Sequence, residues 1–346
     1  MKGVQLVAHG GPETLLFNPS IPMPIAGKGD VLIQVAAAGV NNTDINTRIG
    51  WYSKHDANPD DAGWSGQALS LPRIQGADVC GTIIAVGDGV DANRVGERVL
   101  IEPSLKMANG QRLQEPQYFG SECDGGFAEF TKVASMHAHT INSSLTDIEL
   151  ASFPCSYSTA ENMLTRACVS AKDRVLITGA SGGVGSAAIQ LARARGATVV
   201  AVTSPSKAKA LQDLGASQTI SRDENLVDAL GHNSIDVVID LVAGPAWPQL
   251  LEILKTKGRY AVSGAIGGPI VELDVRTLYL KDLSFFGCTM LEPDVFANLI
   301  SKIESGAIKP LVAQTFPLEK IAEAQETFLQ KAHIGKIVLS VTDQQT

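Results

Sequence analysis

The sequence predicts an α/β protein with two domains, one rich in β-strands and one built around a parallel sheet. Its 346 residues are about twice what one hydrophobic core usually carries. In the first third, short apolar runs at 31–38 and 81–87 are bounded by turn residues, which indicates strands. From about residue 147 onward, apolar runs alternate with segments of helical spacing. That alternation is typical of a doubly wound parallel sheet with right-handed crossovers.

The predicted elements follow in order along the chain. In the first third, strands are expected at 31–38, 81–87 and 96–101, whereas the polar segments 53–73 and 107–121 are expected to be long loops because they show no periodicity. In the rest of the chain the predicted strands are 174–178, 198–202, 218–220, 236–240, 259–263 and 336–341. The predicted helices are 184–195, 206–214, 247–255, 295–305 and 319–330.

The composition excludes several classes of protein. Apolar residues make up 45% and charged residues 18%, which is ordinary for a folded domain. With 28 Lys and Arg against 36 Asp and Glu, the net charge is −8, and no nucleic-acid partner is expected. Five cysteines without a C-x-x-C pair indicate a reducing compartment. Neither a secretion signal nor a membrane span is recognisable, so a cytoplasmic protein is expected.

A glycine-rich segment follows the predicted strand 174–178 and leads into the predicted helix 184–195. Its sequence is Gly179-Ala-Ser-Gly-Gly-Val-Gly185, in which Ala180 takes the place of the first glycine of the usual G-x-G-x-x-G pattern. Such glycines let the backbone approach a pyrophosphate and let the helix pack closely on the strand, while the helix N-terminus offers free N–H groups to the anion. The alternative is a tight turn without a ligand. The predicted dinucleotide-binding residues here are Ala180, Ser181, Gly182, Gly183, Val184 and Gly185.

The end of the next strand predicts which dinucleotide is bound. An NAD site has Asp or Glu about 20 residues after the glycines, where the acid binds the ribose 2′-hydroxyl. The strand 198–202 instead runs into Thr203-Ser-Pro-Ser-Lys207, which holds no acid. Hydroxyls and an ammonium suit a 2′-phosphate, so NADP(H) is the predicted cofactor, held by Thr203, Ser204 and Lys207. Alternatively, Ser204 and Ser206 cap the helix that follows.

Motifs along the whole chain point to one family. They are the glycine segment, Gly39-Val-Asn-Asn-Thr-Asp44, Gly76-Ala-Asp-Val-Cys-Gly81, Val95-Gly-Glu-Arg-Val, Asp124-Gly-Gly-Phe-Ala-Glu-Phe, Leu214-Gly-Ala and Gly335-Lys-Ile-Val-Leu. With them the chain resembles the medium-chain dehydrogenase/reductase superfamily. The resemblance implies a GroES-like catalytic domain made of residues 1–156 and 292–346, with a Rossmann NADP-binding domain inserted at 157–291. It also implies a homodimer that pairs through the sheet edge at 284–289. Ser263 and Lys336 complete the predicted cofactor contacts.

The resemblance also bears on zinc. Zinc alcohol dehydrogenases have Cys where this chain has Asn41, and His-Glu where it has Ala77-Asp78. The third ligand position matches Cys155, but one thiolate and one carboxylate cannot make the three-ligand site that catalytic Zn²⁺ needs. No metal site is therefore predicted, and Cys155 is expected to be a small core residue. His137 and His139 would lie on one face of a strand, but the pair has no evident third ligand.

Without zinc, the chain is similar to NADPH quinone oxidoreductases and enoyl-thioester reductases. Those families carry Asn, Asp and Tyr at the spacing of Asn41, Asp44 and Tyr52, which are the predicted catalytic residues. Hydride addition to an activated C=C leaves an enolate oxygen that needs hydrogen-bond donors and a carbon that needs a proton. Tyr52 and the Asn41 amide would supply donors without a metal. Alternatively, Tyr52 packs under the 53–73 loop, and Asn41 and Asp44 make local turn bonds.

The predicted function is zinc-independent, NADPH-dependent hydride transfer to a quinone or an activated C=C. The 53–73 loop is longer than in similar enzymes, and its acids Asp56, Asp60 and Asp61 would disfavour polyanionic substrates. A small neutral enone, quinone or aldehyde is therefore expected. Two alternatives stay open: an alcohol dehydrogenase or carbonyl reductase of the zinc type, and a protein that binds NADPH without turnover.

Overall fold

The computed structural model describes residues 1–54 and 58–342, which form two compact units. Unit 1 comprises Met1–Cys155 and Pro310–Thr346, and unit 2 comprises Ser156–Lys309. The predicted α/β class is confirmed, since unit 1 is rich in strands and unit 2 holds a parallel sheet. Among the described residues, no helix is both long and apolar enough to cross a membrane.

The elements are numbered along the chain. The strands are β1 (Gly3–Leu6), β2 (Leu15–Asn18), β3 (Asp30–Val40), β4 (Asp78–Val86), β5 (Arg98–Ile101), β6 (Ser104–Ala108), β7 (Gln111–Tyr118), β8 (Phe130–Ala134), β9 (Ala138–Thr140), β10 (Arg174–Ile177), β11 (Thr198–Thr203), β12 (Gln218–Ser221), β13 (Ile235–Asp240), β14 (Leu254–Val262), β15 (Ser284–Gly287), β16 (Val312–Pro317) and β17 (Lys336–Ser340). The helices are α1 (Asn42–Ile49), α2 (Asp147–Leu150), α3 (Pro154–Arg166), α4 (Gly183–Ala194), α5 (Ala208–Leu214), α6 (Leu226–Leu230), α7 (Trp247–Ile253), α8 (Val275–Leu280), α9 (Val295–Glu304) and α10 (Ile321–Leu329).

Unit 1 is built on a sheet of strand order β16-β17-β3-β4-β5-β9, and β8 also pairs with β3. The long strand β3 runs through its centre and is buried along most of its length, because apolar residues lie on both of its faces. β16 and β17 pair in parallel, whereas β17, β4 and β8 all run antiparallel to β3. The core packed on this sheet includes Val31, Ile33, Val35, Val79, Ile83, Val99, Ile101, Phe119, Phe127, Ile337 and Leu339.

The segment 107–121, predicted to be a loop, forms most of an antiparallel hairpin of β6 and β7. Its turn is Asn109-Gly110, and both residues have positive φ, at 50° and 71°. Asn-Gly is a strong hairpin-turn dipeptide because both residues tolerate this backbone region. The prediction was wrong because β7 is polar on both faces and shows no hydrophobic alternation, although the turn residues were readable.

Unit 2 contains a parallel sheet of strand order β12-β11-β10-β13-β14-β15. The strand order reverses between β10 and β13, and in open sheets of this kind ligands bind outside the carboxyl ends of the strands at that reversal. The glycine segment and the end of β11 both lie at carboxyl ends of these strands. The core of this unit includes Leu176, Val200, Ile220, Val238, Trp247, Leu250, Leu254 and Tyr260.

The chain stays with unit 2 as far as Lys309, which is 18 residues beyond the domain boundary expected at 291/292. Two contacts on α3 hold this extra segment. The Asn162 side chain accepts a hydrogen bond from the Glu292 amide at 3.0 Å. On α9, the Lys302 ammonium lies 3.3 Å from a carboxylate oxygen of Glu161. The sequence carried no composition change at this point that would have marked the boundary.

Candidate active site

The site in unit 1 begins where β3 ends and α1 starts. Asn41 is the N-cap of α1, and its backbone N–H donates to the Asp44 carboxylate at 2.7 Å. This is half of a capping box, in which an acid at the third helical position bonds back to the N-cap amide. The helix ends at Gly50, whose φ of 70° lets the chain turn and place Tyr52 beside it. Two of the three predicted catalytic residues are therefore positioned by local helix chemistry.

The sheet register brings three distant residues to one end of β3. Because Ile337 pairs with Val40 and Asp78 pairs with Gly39, the neighbours Lys336, Asn41 and Asp78 meet there. Gly39 is required at this point, since a Cβ would lie 2.6 Å from the Asp78 carboxylate. The residues that the superfamily resemblance aligns with zinc ligands thus come together in the fold.

A buried ion pair lies at the centre of this cluster. The Lys336 ammonium is 2.7 Å from Asp78 Oδ2, and the two side chains are 2% and 0% exposed. Lys336 also donates to the Asn41 side-chain oxygen, and the Asn41 amide nitrogen donates to Asp78 Oδ2 at 2.9 Å. The other Asp78 oxygen accepts from the Cys155 backbone N–H at 2.5 Å. A buried carboxylate is stable only when paired and hydrogen-bonded in this way.

Lys336 was predicted to contact the cofactor. The structure places its ammonium inside unit 1, bonded to Asp78 and Asn41. Within residues 1–54 and 58–342 there is no group of three or more His, Cys, Asp or Glu side chains arranged to hold a metal ion. The cation beside Asp78 and Asn41 in this structure is therefore a lysine ammonium.

Two phenols border the cluster. The Tyr52 hydroxyl donates to Thr43 Oγ1 at 3.0 Å, and the Tyr118 hydroxyl lies 3.0 Å from the Cys155 sulfur. Burial raises the pKa of Tyr52 to about 12 and raises that of Tyr118 well above its usual value. Both phenols are consequently neutral at pH 7 and able to donate a hydrogen bond or a proton. Tyr118 and Thr43 were not recognised from the sequence, because Tyr118 comes from a hairpin that was predicted to be a loop.

Cys155 was predicted to be a core residue, and it is buried at 8% exposure. Burial raises the pKa of its thiol to about 12, so the sulfur is neutral. Its sulfur contacts the Tyr118 hydroxyl, so Cys155 also borders the polar cluster.

Asp44 is the group in this cluster that titrates near neutral pH. Burial raises its pKa to about 7, and the nearby charge of Asp78 adds to the rise, whereas the Asn41 amide and the Lys336 ammonium oppose it. Its exposure is 2%. The charge on the α1 capping box therefore changes within the physiological pH range.

The histidine pair considered as metal ligands serves another purpose. His137 Nδ1 and His139 Nε2 lie 3.2 and 3.3 Å from the same Glu102 oxygen. The second nitrogen of His137 accepts from the backbone N–H groups of Lys106 and Met107. His137 thus holds β6 through Nε2 and Glu102 through Nδ1, and a metal would have to displace these bonds.

The glycine segment in unit 2 has the features of an anion-binding loop. Gly182 is the N-cap of α4, and the helix runs for 12 residues from Gly183. A Cβ on Gly185 would lie 2.4 Å from the Gly179 oxygen and 2.6 Å from the Ala180 Cα, so only glycine allows this close packing. A Cβ on Gly182 would meet an ordinary contact at 3.5 Å. Gly182 is not needed for internal packing, and its bare backbone faces outward at the helix start.

The end of β11 adds polar groups to the same edge. The Thr203 hydroxyl is buried and has no hydrogen-bond partner within the described chain. A buried orphan hydroxyl costs free energy unless a ligand or water satisfies it, so it fits a bound cofactor better than a turn without a ligand. The Ser204 side chain does not cap the helical turn that follows, which removes part of the capping alternative. Ser204 Oγ instead lies 3.3 Å from Ser206 Oγ.

Two cations, Lys207 and Arg222, lie near the end of β11. Burial lowers the pKa of Lys207, and the positive charge of Arg222 lowers it further. Arg222 follows β12 directly, and its backbone N–H donates to the Thr203 oxygen at 3.0 Å. Arg222 was missed because the sequence analysis considered only the end of the second strand. Ser263 follows β14 at the same sheet edge, and its N–H donates to the Asp240 oxygen at 3.2 Å.

Comparisons with known proteins agree with this architecture. The alcohol dehydrogenase GroES-like domain model matches residues 27–143, and the zinc-binding dehydrogenase model matches residues 183–305. The quinone oxidoreductase of Homo sapiens is 31% identical over 353 residues, which cover 98% of this chain and 97% of the human protein. The acryloyl-coenzyme A reductase of Sulfurisphaera tokodaii is 29% identical and covers 95% of this chain and 97% of its own length.

A solved structure is similar at higher identity. The crystal structure of a candidate alcohol dehydrogenase from Sinorhizobium meliloti 1021 is 44% identical, with a TM-score of 0.91, and the match covers 98% of this chain and 96% of that chain. Full-length similarity at this level, together with the matched domain models, shows common descent. The chain is an oxidoreductase that belongs to the medium-chain dehydrogenase/reductase superfamily.

Proposed function

We propose that the chain is an NADPH-dependent, zinc-independent reductase of quinones or activated C=C bonds. The observation that carries the proposal is the cluster around Asp78, in which a lysine ammonium is bonded to Asp78 and Asn41, two of the residues at the zinc-ligand positions, and two neutral phenols border the cluster. Quinone oxidoreductases and an acryloyl-coenzyme A reductase among the relatives support this class of reaction. The described cysteines form no disulfide, which suits action in the cytoplasm.

The residues of unit 1 suit a reaction that creates negative charge on oxygen. When bound, a nicotinamide cofactor supplies the hydride. The Tyr52 phenol, neutral at pH 7, donates to the substrate oxygen as it becomes an enolate or hydroquinone oxygen. In the structure the Tyr52 O–H donates to Thr43 Oγ1 at 3.0 Å, so donation to the substrate requires this O–H to turn away from Thr43, whose own hydroxyl then donates to the phenol oxygen. Asn41 and Asp44, whose polar groups are bonded within the cluster, hold the ammonium and the helix start in place.

The preference for NADPH rests on unit 2. Thr203, Ser204, Lys207 and Arg222 provide hydroxyls and positive charge at the end of β11, as a 2′-phosphate requires. Thr203→Asp places a carboxylate there and should shift the ratio of kcat/KM values toward NADH by at least tenfold. Ser217→Asp, on the loop before β12, is the matched control for added charge. An unchanged cofactor ratio in Thr203→Asp would contradict the assignment.

Activity is tested by NADPH oxidation with quinones, enones and aldehydes in turn. Tyr52→Phe keeps the ring and removes the donor, so kcat should fall by two orders of magnitude or more while KM for NADPH stays within twofold. Equal activity of Tyr52→Phe would remove Tyr52 from the mechanism. Tight NADPH binding with no turnover of any substrate would favour the non-catalytic alternative.

A second candidate is an alcohol dehydrogenase, which the name of the Sinorhizobium meliloti relative favours. Cys155 and Asp78 are the residues in this chain that match zinc-ligand positions, and both are engaged with other groups. Metal analysis of the purified protein separates the two candidates. Stoichiometric zinc, together with loss of alcohol oxidation after chelation, would favour the alcohol dehydrogenase over the zinc-independent reductase.

The proposal includes a homodimer that forms through the edge strand of unit 2. β15 is the last strand in the sheet order, and exposed apolar side chains occur in the segment that precedes it along the chain. Ile270, Tyr279 and Leu280 are 88%, 60% and 70% exposed, which is unusual for large apolar residues that face water. Sedimentation velocity should give a dimer mass, and Phe286→Lys in β15 should give a monomer.

A further inference from the structure

Two aromatic rings, Trp64 and Tyr118, lie beside the polar cluster of unit 1 and form a stacked pair. The rings of Trp64 and Tyr118 pack with centroids 5.0 Å apart and planes inclined by 31°. Tyr118 is 8% exposed, and with Ala77 and Cys155 it forms a small apolar cluster on which Trp64 packs. Ala77 and Cys155, the two neighbours of the rings, have small side chains. The rings of Trp64 and Tyr118 therefore provide most of the apolar surface on this side of the polar cluster.

The same rings are tied to one another through Glu122. One carboxylate oxygen of Glu122 accepts the Ser65 N–H at 2.9 Å, and the other accepts the Tyr118 N–H at 2.9 Å. The Trp64 N–H donates to the Ser121 hydroxyl at 3.4 Å. Glu122 thereby joins the loop that follows residue 58 to the end of β7. Each ring comes from a segment that sequence analysis expected to be a loop, and this carboxylate holds the two in register.

Tyr118 connects the aromatic pair to the reacting groups. Its hydroxyl lies 3.0 Å from the Cys155 sulfur, and the Cys155 backbone N–H donates to the Asp78 carboxylate at the centre of the cluster. Tyr118 and the half-buried Trp64 that packs on it therefore adjoin the cluster that the proposed reaction uses.

We propose that Trp64 and Tyr118 form an aromatic wall that selects planar, conjugated ring substrates over straight-chain ones, with Glu122 as its positioning residue. This inference rests on the proposed function. Aromatic side chains favour offset stacking with a flat π-system, and the preference exceeds what buried area alone provides. A bicyclic quinone presents such a face, whereas a straight-chain enal presents a narrow, flexible one. The wall therefore discriminates within the class of activated acceptors.

The test compares two acceptors in the full-length protein. Trp64→Leu should lower kcat/KM for 1,4-naphthoquinone about tenfold, which is the range expected for one aromatic stacking contact, and change it less than twofold for trans-2-hexenal. Phe17→Leu, at an aromatic residue of β2 that is 38% exposed, is the matched control and should change neither. Equal losses for the two acceptors in Trp64→Leu would overturn the proposal.

Glu122 is tested by graded substitution. Glu122→Gln keeps one acceptor oxygen and Glu122→Ala keeps none. The ratio of kcat/KM for 1,4-naphthoquinone to kcat/KM for trans-2-hexenal should therefore lie between the wild-type and Trp64→Leu values in Glu122→Gln. In Glu122→Ala the same ratio should equal the Trp64→Leu value. KM for NADPH should stay within twofold in both. A ratio that stays at the wild-type value in Glu122→Ala would show that the carboxylate does not position the wall.

A binding measurement keeps the inference separate from the reaction. Titration calorimetry with 1-naphthol, a planar ring that accepts no hydride, should give a Kd about tenfold higher for Trp64→Leu than for wild type, with folding checked by near-ultraviolet circular dichroism. If no acceptor is reduced by the wild type, the proposed function fails while this binding difference still supports the wall. Equal Kd values in the two proteins would refute the wall whatever the enzyme reduces.

Discussion

Lys336→Met removes the cation from the buried ion pair of unit 1. The Asp78 carboxylate, which is 0% exposed, would then face only the Asn41 amide and the Cys155 N–H. Breaking a buried pair by removing one partner costs about 3–5 kcal/mol, because the remaining charge is desolvated and uncompensated. The double variant Lys336→Met with Asp78→Asn removes both charges, so it should recover more than half of that loss.

Urea unfolding followed by tryptophan fluorescence measures this loss, since Trp51 and Trp64 both lie in unit 1. With a slope of roughly 2–3 kcal/mol per M, the transition of unit 1 should shift by about 1–2 M in Lys336→Met. Lys320→Met is the control. Its ammonium lies 3.1 Å from Glu323, but the two side chains are 58% and 55% exposed, and such pairs contribute about 0.5 kcal/mol.

The reasoning is refuted if Lys336→Met shifts the transition no more than Lys320→Met does. It is also refuted if the double variant is less stable than Lys336→Met alone, because an uncompensated carboxylate could not then be the source of the loss.

Three further predictions concern stability and cofactor binding. Burial alone would raise the pKa of Glu102, but hydrogen bonds from its two histidine neighbours outweigh burial and lower the pKa from 4.5 to about 2. The lowered pKa contributes about 3 kcal/mol to the free energy of unfolding above pH 4.5, and this contribution is lost as the pH falls toward 2. Unfolding measured across that window should show the stability difference between wild type and Glu102→Gln shrinking with acid, and a constant difference would contradict it. Gly185→Ala should lower the thermal unfolding midpoint and weaken NADPH binding at least tenfold, because its Cβ would lie closer than 3 Å to backbone atoms. Gly182→Ala should weaken NADPH binding but leave the thermal midpoint unchanged, because its Cβ makes no such close contact. Lys281→Met removes three hydrogen bonds from its ammonium to carbonyls at the end of α7 and should destabilise unit 2 by about 2 kcal/mol in urea, with no change expected for Lys209→Met on exposed α5.

The features that the sequence predicted correctly are those that depend on neighbouring residues. The strand, glycine loop and helix start at 174–195 are consecutive, so their backbone demands appear directly as residue types. The same holds for the capping box, in which Asn41 and Asp44 are three positions apart. Short apolar runs bounded by turn residues were enough to predict most strands of both sheets. Where such a run was absent, as in β7, the prediction was wrong although the Asn-Gly turn could be recognised.

The sequence by itself determined the α/β class, the glycine segment between strand and helix, and the superfamily, because each of these depends on residues close together or on motifs of defined type. Only the tertiary structure decided which groups surround the Asp78 carboxylate. Lys336 is 295 positions from Asn41, and strand pairing alone brings its ammonium to Asp78. It likewise decided that Tyr118, Trp64 and Glu122 meet, and that Arg222 stands by Lys207. Such contacts depend on the register of distant strands, which no short segment of sequence specifies.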